Sequence, residues 1–281
     1  MKLFCNTPLC FELQASNRFA DERLRDLMNF MRAPTRTLPP AIARAWEDIQ
    51  LLQDDARLRQ KNFQEGHMIA IYWETVARWM MMRAKRDAKA LHTPLILIQA
   101  ADESVPTMPI DVARKLMNKA NPKDTGLMHG MFTVHLGMRI QLLEALDVKN
   151  GLVKDAEGVI VSVVYHPLDQ DHVDAAMASG ADRLYLRHLP LGIWLRMDKY
   201  DQSPFVDDDL GADAKHFVFV EPKTSDVFLF RGHKVKRTGF CLSHAQVVTT
   251  TACQGRTMRA GVLIDCGRHE WGTTAKEPSD W

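Results

Sequence analysis

The sequence predicts an α/β protein, a parallel-sheet lobe with a small all-β, barrel-like module inserted into it. Three observations predict this. Helical spacings alternate with short, continuous apolar runs in the first third of the chain. Short strands and turn signals then crowd together from about residue 126 to residue 240, and apolar runs return beyond residue 241. Strands that are apolar without alternation are covered on both faces, as in a parallel sheet. The expected division is a discontinuous lobe of residues 1–125 and 241–281 around a β module of residues 126–240.

Asp21 can cap a first helix, since Leu24, Leu27, Met28 and Met31 follow at steps of three and four. Pro39-Pro40 opens a second helix carrying Ile42, Trp46 and Ile49. His67–Tyr72 reads as a buried strand, Glu74–Ala90 as a long helix, Leu95–Ile98 as a second buried strand and Pro109–Ala120 as a short helix. In the module, strands are expected at Phe132–Leu136, Met138–Leu143, Val159–Val164, Leu184–Leu186, Ile193–Met197, Phe217–Val220 and Val227–Phe230. Lys149-Asn150-Gly151, Glu157-Gly158 and Arg231-Gly232 supply turn chemistry between them. The acidic run Asp207-Asp208-Asp209 reads as a solvated loop. Gln246–Thr251 is a strand, Ala252–Arg259 a turn and short helix, and Gly261–Asp265 another buried strand.

Composition narrows the function classes. With 46% hydrophobic and 25% charged residues, the 281-residue chain can build a sizeable core. A net charge of +1 excludes a generally basic nucleic-acid binder but leaves room for a local basic groove. Five cysteines, Cys5, Cys10, Cys241, Cys253 and Cys266, form no CxxC pair, so neither a disulfide framework nor a zinc ribbon is expected. We read a reducing, intracellular compartment, no signal peptide and no membrane span.

The segment Phe240-Cys-Leu-Ser-His-Ala-Gln-Val-Val-Thr-Thr-Thr-Ala-Cys-Gln254-Gly255-Arg-Thr257 is the most informative. A strand that ends in a tight Gly turn and opens a helix presents backbone N–H groups and hydroxyls to a phosphate. It resembles the fifth conserved motif of superfamily-1 helicases of the Pif-one type, Thr-x-His-x-x-Gln-Gly-x-Thr. Thr251 stands where that family often has His, and Cys253 where it often has Ser. Near the start, Leu13–Phe19 and the helix to Met31-Arg32 resemble the fourth motif, in which an Arg precedes Leu-x-x-Leu-Met-x-x-Met-Arg. In the module, Val134-His-Leu-Gly137-Met-Arg and Gly151-Leu-Val-Lys-Asp-Ala-Glu-Gly158 resemble the inserted barrel, with Lys154-Asp155 replacing Asn-Gly at its hairpin.

The resemblance implies a second RecA-like motor lobe with an inserted barrel. It implies an ATP-dependent DNA helicase, a hydrolase of the P-loop NTPase family with roles in DNA repair and recombination. Arg18 would reach the ATP γ-phosphate, as a planar, permanently charged fork suits. Gln254 and Gly255 would couple nucleotide state to DNA grip. Thr249, Thr251, Cys253 and Thr257 would hold the backbone of single-stranded DNA. Lys234 and Lys236, from the basic cluster Arg231, His233, Lys234, Lys236, Arg237, would line a DNA groove or guard a hairpin edge. Trp73, where the family often has Asn, would stack on a base or fill the core.

No Gly-x-x-x-x-Gly-Lys-[Ser/Thr] occurs, so ATP and Mg are expected only together with a missing first lobe, and no unwinding by this polypeptide alone. The chain also ends at Trp281, before a sixth motif, as a fragment or an eroded relative would. The alternative function is a non-catalytic nucleic-acid or protein-binding remnant, and a weaker third is a thiol hydrolase at Cys241 or Cys253. No metal site is expected, and His166, Asp169, Asp171, His172 and Asp174 read as an exposed loop. The nucleus and the mitochondrion are both compatible with the resemblance, and the oligomeric state is left open.

Overall fold

The computed structural model describes residues 26, 39–49, 56, 65–202, 215–253 and 262–265. The chain divides into two compact units, Met1–Gln64 and Glu65–Trp281. In the first, helix α1 (Pro40–Ile49) opens with Pro40, whose fixed φ suits a first helical position, and Ile42 is buried. The helix expected from Asp21 and the acidic run at 207–209 lie outside the described residues.

The second unit runs, in order, β1 (His67–Ala70), α2 (Trp73–Ala90), β2 (Leu95–Gln99), β3 (Ala101–Val105) and α3 (Ile110–Met117). It continues through β4 (Met131–Val134), β5 (Arg139–Leu142), β6 (Glu157–Val164), α4 (Gln170–Ala178), β7 (Arg183–Tyr185) and β8 (Gly192–Met197). Last come β9 (Phe217–Val220), β10 (Lys223–Thr224), β11 (Phe228–Phe230), β12 (His233–Gly239), β13 (Leu242–His244), β14 (Val247–Thr249) and β15 (Val262–Asp265).

Among the described residues the strands form four sheets. β1 lies between β14 and β15, parallel to both, so segments far apart in sequence share one parallel sheet. Helix α2 covers it: Val76 is fully buried against Ala70 and Val247, with Trp73, Trp79 and Met80 packed around them. An antiparallel sheet in the order β13-β5-β6-β8-β9 and a smaller sheet, β4-β2-β7, close on a common core. Ile96, Ile98, Ile140, Leu184, Ile193 and Leu195 meet there with almost no exposure, the main apolar burial among the described residues. The remaining sheet runs β10-β12-β11, with β3 paired along β12.

Four details differ from the sequence reading. First, Leu95–Gln99 does not extend the parallel sheet but pairs antiparallel with β4 and parallel with β7, and β3 pairs with β12. Strand pairing therefore crosses the expected boundary at 125/126. A continuous apolar run reveals burial, and nothing in it names a partner. Second, Glu157-Gly158 is no turn but the start of β6, where a Cβ on Gly158 would come within 2.7 Å of the Arg196 carbonyl oxygen. The turn lies just before it, where Asp155 takes the left-handed conformation (φ 67°) that glycine usually supplies. Third, residues 166–174 are not an exposed loop. His166 caps a short 3-10 turn, accepting a bond from the Leu168 N–H, and α4 follows. Fourth, Asp169 is fully buried, accepting bonds from the His188 ring and from the backbone N–H groups of Arg187 and His188.

Candidate nucleic-acid interface

In the register of the parallel sheet, Thr249 of β14 and Asp265 of β15 both lie opposite Ala70 of β1. The carboxyl ends of three strands thus form one row, Thr249–Ala70–Asp265, at about 4.8 Å per strand. In open parallel sheets ligands bind outside this edge. Each end is organised by the chain just beyond it.

After β14 the chain enters a helical turn. The Cys253 N–H donates to the Thr249 carbonyl at 3.1 Å, and the Ala252 N–H donates to Thr249 Oγ1 at 3.3 Å. Thr249 is thus an N-cap: its hydroxyl oxygen satisfies a backbone donor that the turn would otherwise leave open. The Thr250 N–H donates to the Ala70 carbonyl at 3.1 Å, which seats the turn on the end of β1. Thr249 is buried, Thr251 is exposed and Cys253 is half-buried with its thiol donating to the Thr250 carbonyl. Of the residues expected to hold a nucleic-acid backbone here, Thr251 presents its side chain to solvent while Thr249 shapes the turn from beneath. Gln254, Gly255, Thr257 and, from the other unit, Arg18 lie outside the described residues.

Trp73 begins α2 directly beyond β1, half-buried, packed with the cluster of Ala70, Val76 and Val247. Its indole serves the core of the lobe. Trp79, one and a half turns further on, reaches across the sheet. Its Nε1–H donates to Asp265 Oδ2 at 2.9 Å. The sequence reading missed this pair. The signal was present, a carboxylate ending an otherwise apolar run at Val262–Asp265, but its partner sits far away in sequence.

The basic cluster before β13 separates into two faces. Lys234 and Lys236 lie on the exposed face of β12, with Lys236 opposite Glu103 and Lys234 between Val105 and Leu229. Arg237 points the other way and is fully buried. It donates to Asp102 from Nε and Nη2, both at 2.7 Å, and reaches the carbonyls of Met128 and Leu116. So Arg237 is a buried tie between β12, β3 and the end of α3. Arg231 and Gly232 form the two-residue hairpin between β11 and β12, both with positive φ (48° and 84°), as a type I′ turn requires.

Cys241 and His244 form no nucleophilic pair. Burial pushes the Cys241 thiol up to about 12, and neighbouring Glu144 adds to the shift. Burial, followed by the charge of Arg83, holds His244 down to about 3. A thiol disfavoured as thiolate does not support hydrolase chemistry. Among the described residues no group of three His, Cys, Asp or Glu is arranged to hold a metal ion, and no helix is long and apolar enough to cross a membrane.

Together these features define an α/β fold in which the carboxyl ends of three parallel strands lie in one row beside a β module. No family model matches the chain, and no curated protein matches it either. Solved structures do. The Pif1 helicase from Candida albicans matches 89% of this chain at 15% identity and a TM-score of 0.51, over 49% of its own length. The Pif1 helicase from Bacteroides in complex with ADP-AlF3 and ssDNA matches 90% at 14% identity and a TM-score of 0.50, over 45% of its length. The chain shares its fold with these Pif1 helicase structures and spans about half of their length.

Proposed function

We propose that the chain is the second motor lobe and barrel of an ATP-dependent DNA helicase, binding single-stranded DNA and completing an ATP site between lobes. The observation that carries this reading is the capped turn at Thr249, set on the carboxyl edge of the parallel sheet beside Ala70 and Asp265. The turn's N–H groups at Thr250, Ala252 and Cys253 are used within the fold, so what this edge offers a phosphate oxygen is the hydroxyl of exposed Thr251. Lys234 and Lys236 supply charge on a separate, exposed strand face. ssDNA is present in the Bacteroides complex named above, which supports DNA rather than another polyanion as the partner.

ATP and Mg belong to this reading only together with a first lobe, because the sequence holds no Gly-x-x-x-x-Gly-Lys-[Ser/Thr] cradle. Arg18, Gln254 and Gly255 are the residues assigned to the nucleotide. The same missing cradle favours a second reading, a binding module that keeps its DNA contacts without a motor. Titration of the chain with a fluorescent single-stranded oligonucleotide across a salt series tests both. The expected outcome is affinity that falls steeply with salt. Adding a separately produced first lobe with a P-loop should then restore DNA-stimulated ATP hydrolysis. DNA binding without that stimulation selects the module, and no binding at low salt defeats both.

A further inference from the structure

Strand β13 enters the parallel sheet through Ala245-Gln246, and the crossing is held on both sides by histidines. His129 Nε2 lies 3.0 Å from Ser243 Oγ on one side. On the other, His244 is buried beside His135, which follows β4. Backbone partners fix the tautomers of both rings. A carbonyl only accepts, so His135 Nδ1, 2.8 Å from the Leu136 oxygen, must carry the proton and leave Nε2 bare. A backbone N–H only donates, so His244 Nδ1, which receives the Gln246 N–H at 3.3 Å, must be bare and Nε2 protonated. Both Nε2 atoms are buried, and the described residues give neither a hydrogen-bond partner. Only the neutral form of each ring fits.

A proton added to His244 must go to Nδ1, where it meets the Gln246 N–H head-on. Two donors cannot share that contact, so the bond is lost. Gln246 is the residue whose carbonyl accepts from the Met68 N–H at 2.7 Å and whose side-chain amide donates to the Glu65 carbonyl at 2.8 Å. It ties β14 to the start of β1. The surroundings offer the new charge little relief. Arg83 and Arg86 of α2 and His67 of β1 face His244 with like charge or none, and β5 places Ile140 opposite it. The carboxylate in this group, Asp87, already accepts from both arginines. Burial also holds His135 and His129 below their ordinary range, His129 to about 4.

We propose that the β13–β14 crossing is a proton-operated joint: protonation of His244 and His135 releases the strand that carries Thr249 from β1, while the core of the β module stays folded. A group whose folded form is held neutral stabilises that form above its unfolded value near 6.5, and the stabilisation is lost as pH falls below it. The joint works whatever the sheet edge binds.

Hydrogen exchange of the whole chain at pH 7.5 and pH 5.5, corrected for the intrinsic rate, tests this. The proton that His244 takes up on opening raises the opening constant of the 242–249 amides about tenfold over that range, and His135 adds to the rise, with β6 and β8 unchanged. A rise below about threefold overturns the proposal, and so does equal loss of protection in all strands. The double variant His135→Asn/His244→Asn keeps a donor for Leu136 and an acceptor for Gln246 without a titrating ring. Its 242–249 amides should respond to acid much less than those of wild type, His129 beside Ser243 being retained, and a full wild-type acid response in it would also overturn the joint. If the variant does not fold, exchange in the wild-type chain decides.

Discussion

The tie at Arg237 and the sheet edge at Thr249 are both built from polar groups on strand ends, and they use those groups in opposite ways. At Arg237 each partner saturates the other. A fully buried guanidinium meets one carboxylate through two bonds and two carbonyls through weaker ones, and its burial leaves it no contact with solvent. At the edge, Thr249 spends its hydroxyl oxygen on the turn while Thr251 stays exposed. The difference teaches that charge alone does not mark a binding surface in this chain. The most basic-looking stretch of sequence contains one of its most buried side chains.

The largest expected effect sharpens that contrast. Arg237→Ala leaves Asp102 without its partner, and urea unfolding should show a loss of about 3–5 kcal/mol. The paired change Arg237→Met/Asp102→Leu should recover much of it, because two apolar groups leave no uncompensated charge. If the single variant is as stable as wild type, Arg237 is not a structural tie. Trp79→Phe comes next. Loss of the 2.9 Å bond to Asp265 should cost about 1–2 kcal/mol and leave the β module core intact by hydrogen exchange. Thr249→Ala removes the cap and should cost about 1 kcal/mol, with Thr249→Ser restoring most of it. The smallest effect on stability is at Lys234→Ala and Lys236→Ala, within about 0.5 kcal/mol of wild type. Each should instead reduce the salt slope of single-stranded DNA binding by about one. An unchanged slope would remove that face from the interface.

Much of the architecture was readable because burial leaves a local mark. His67–Ala70 and Val247–Thr249 are apolar runs that proved buried or half-buried strands of the parallel sheet, whereas Val262–Asp265, expected as a buried strand, is a strand of that sheet with Ile264 62% exposed. What runs of this kind do not carry is the identity of the neighbour, which is why Leu95–Gln99 was assigned to the wrong sheet. Ala101–Val105 escaped notice altogether. Its composition is polar, and its inward Asp102 is explained only by Arg237 on a distant strand. Gln170–Ala178 was hidden by its His and Asp content, though Pro167 after His166 and the alanines that follow are helix-start and helix-interior residues. At the candidate site, Thr249 was read as a nucleic-acid contact and its hydroxyl oxygen caps the turn, since a hydroxyl read from sequence does not reveal whether it faces ligand or its own backbone. Asp265 stood out in sequence only as a carboxylate ending an apolar run, and the histidine crossing gave no motif, because their meaning lies in contacts that close only in three dimensions.

The placement of β1 bears on how the polypeptide emerges during synthesis. Among the described residues, both of its partners lie near the far end of the chain, at Val247–Thr249 and Val262–Asp265. At roughly 5–20 residues per second, a ribosome would take on the order of ten seconds or more to deliver them. Throughout that interval Met68-Ile-Ala-Ile waits with its backbone donors and acceptors open, an aggregation-prone edge. Helix α2, made immediately afterwards, covers the apolar face of this strand in the fold through Trp73, Val76, Trp79 and Met80, and its edge donors and acceptors are left to the two later strands.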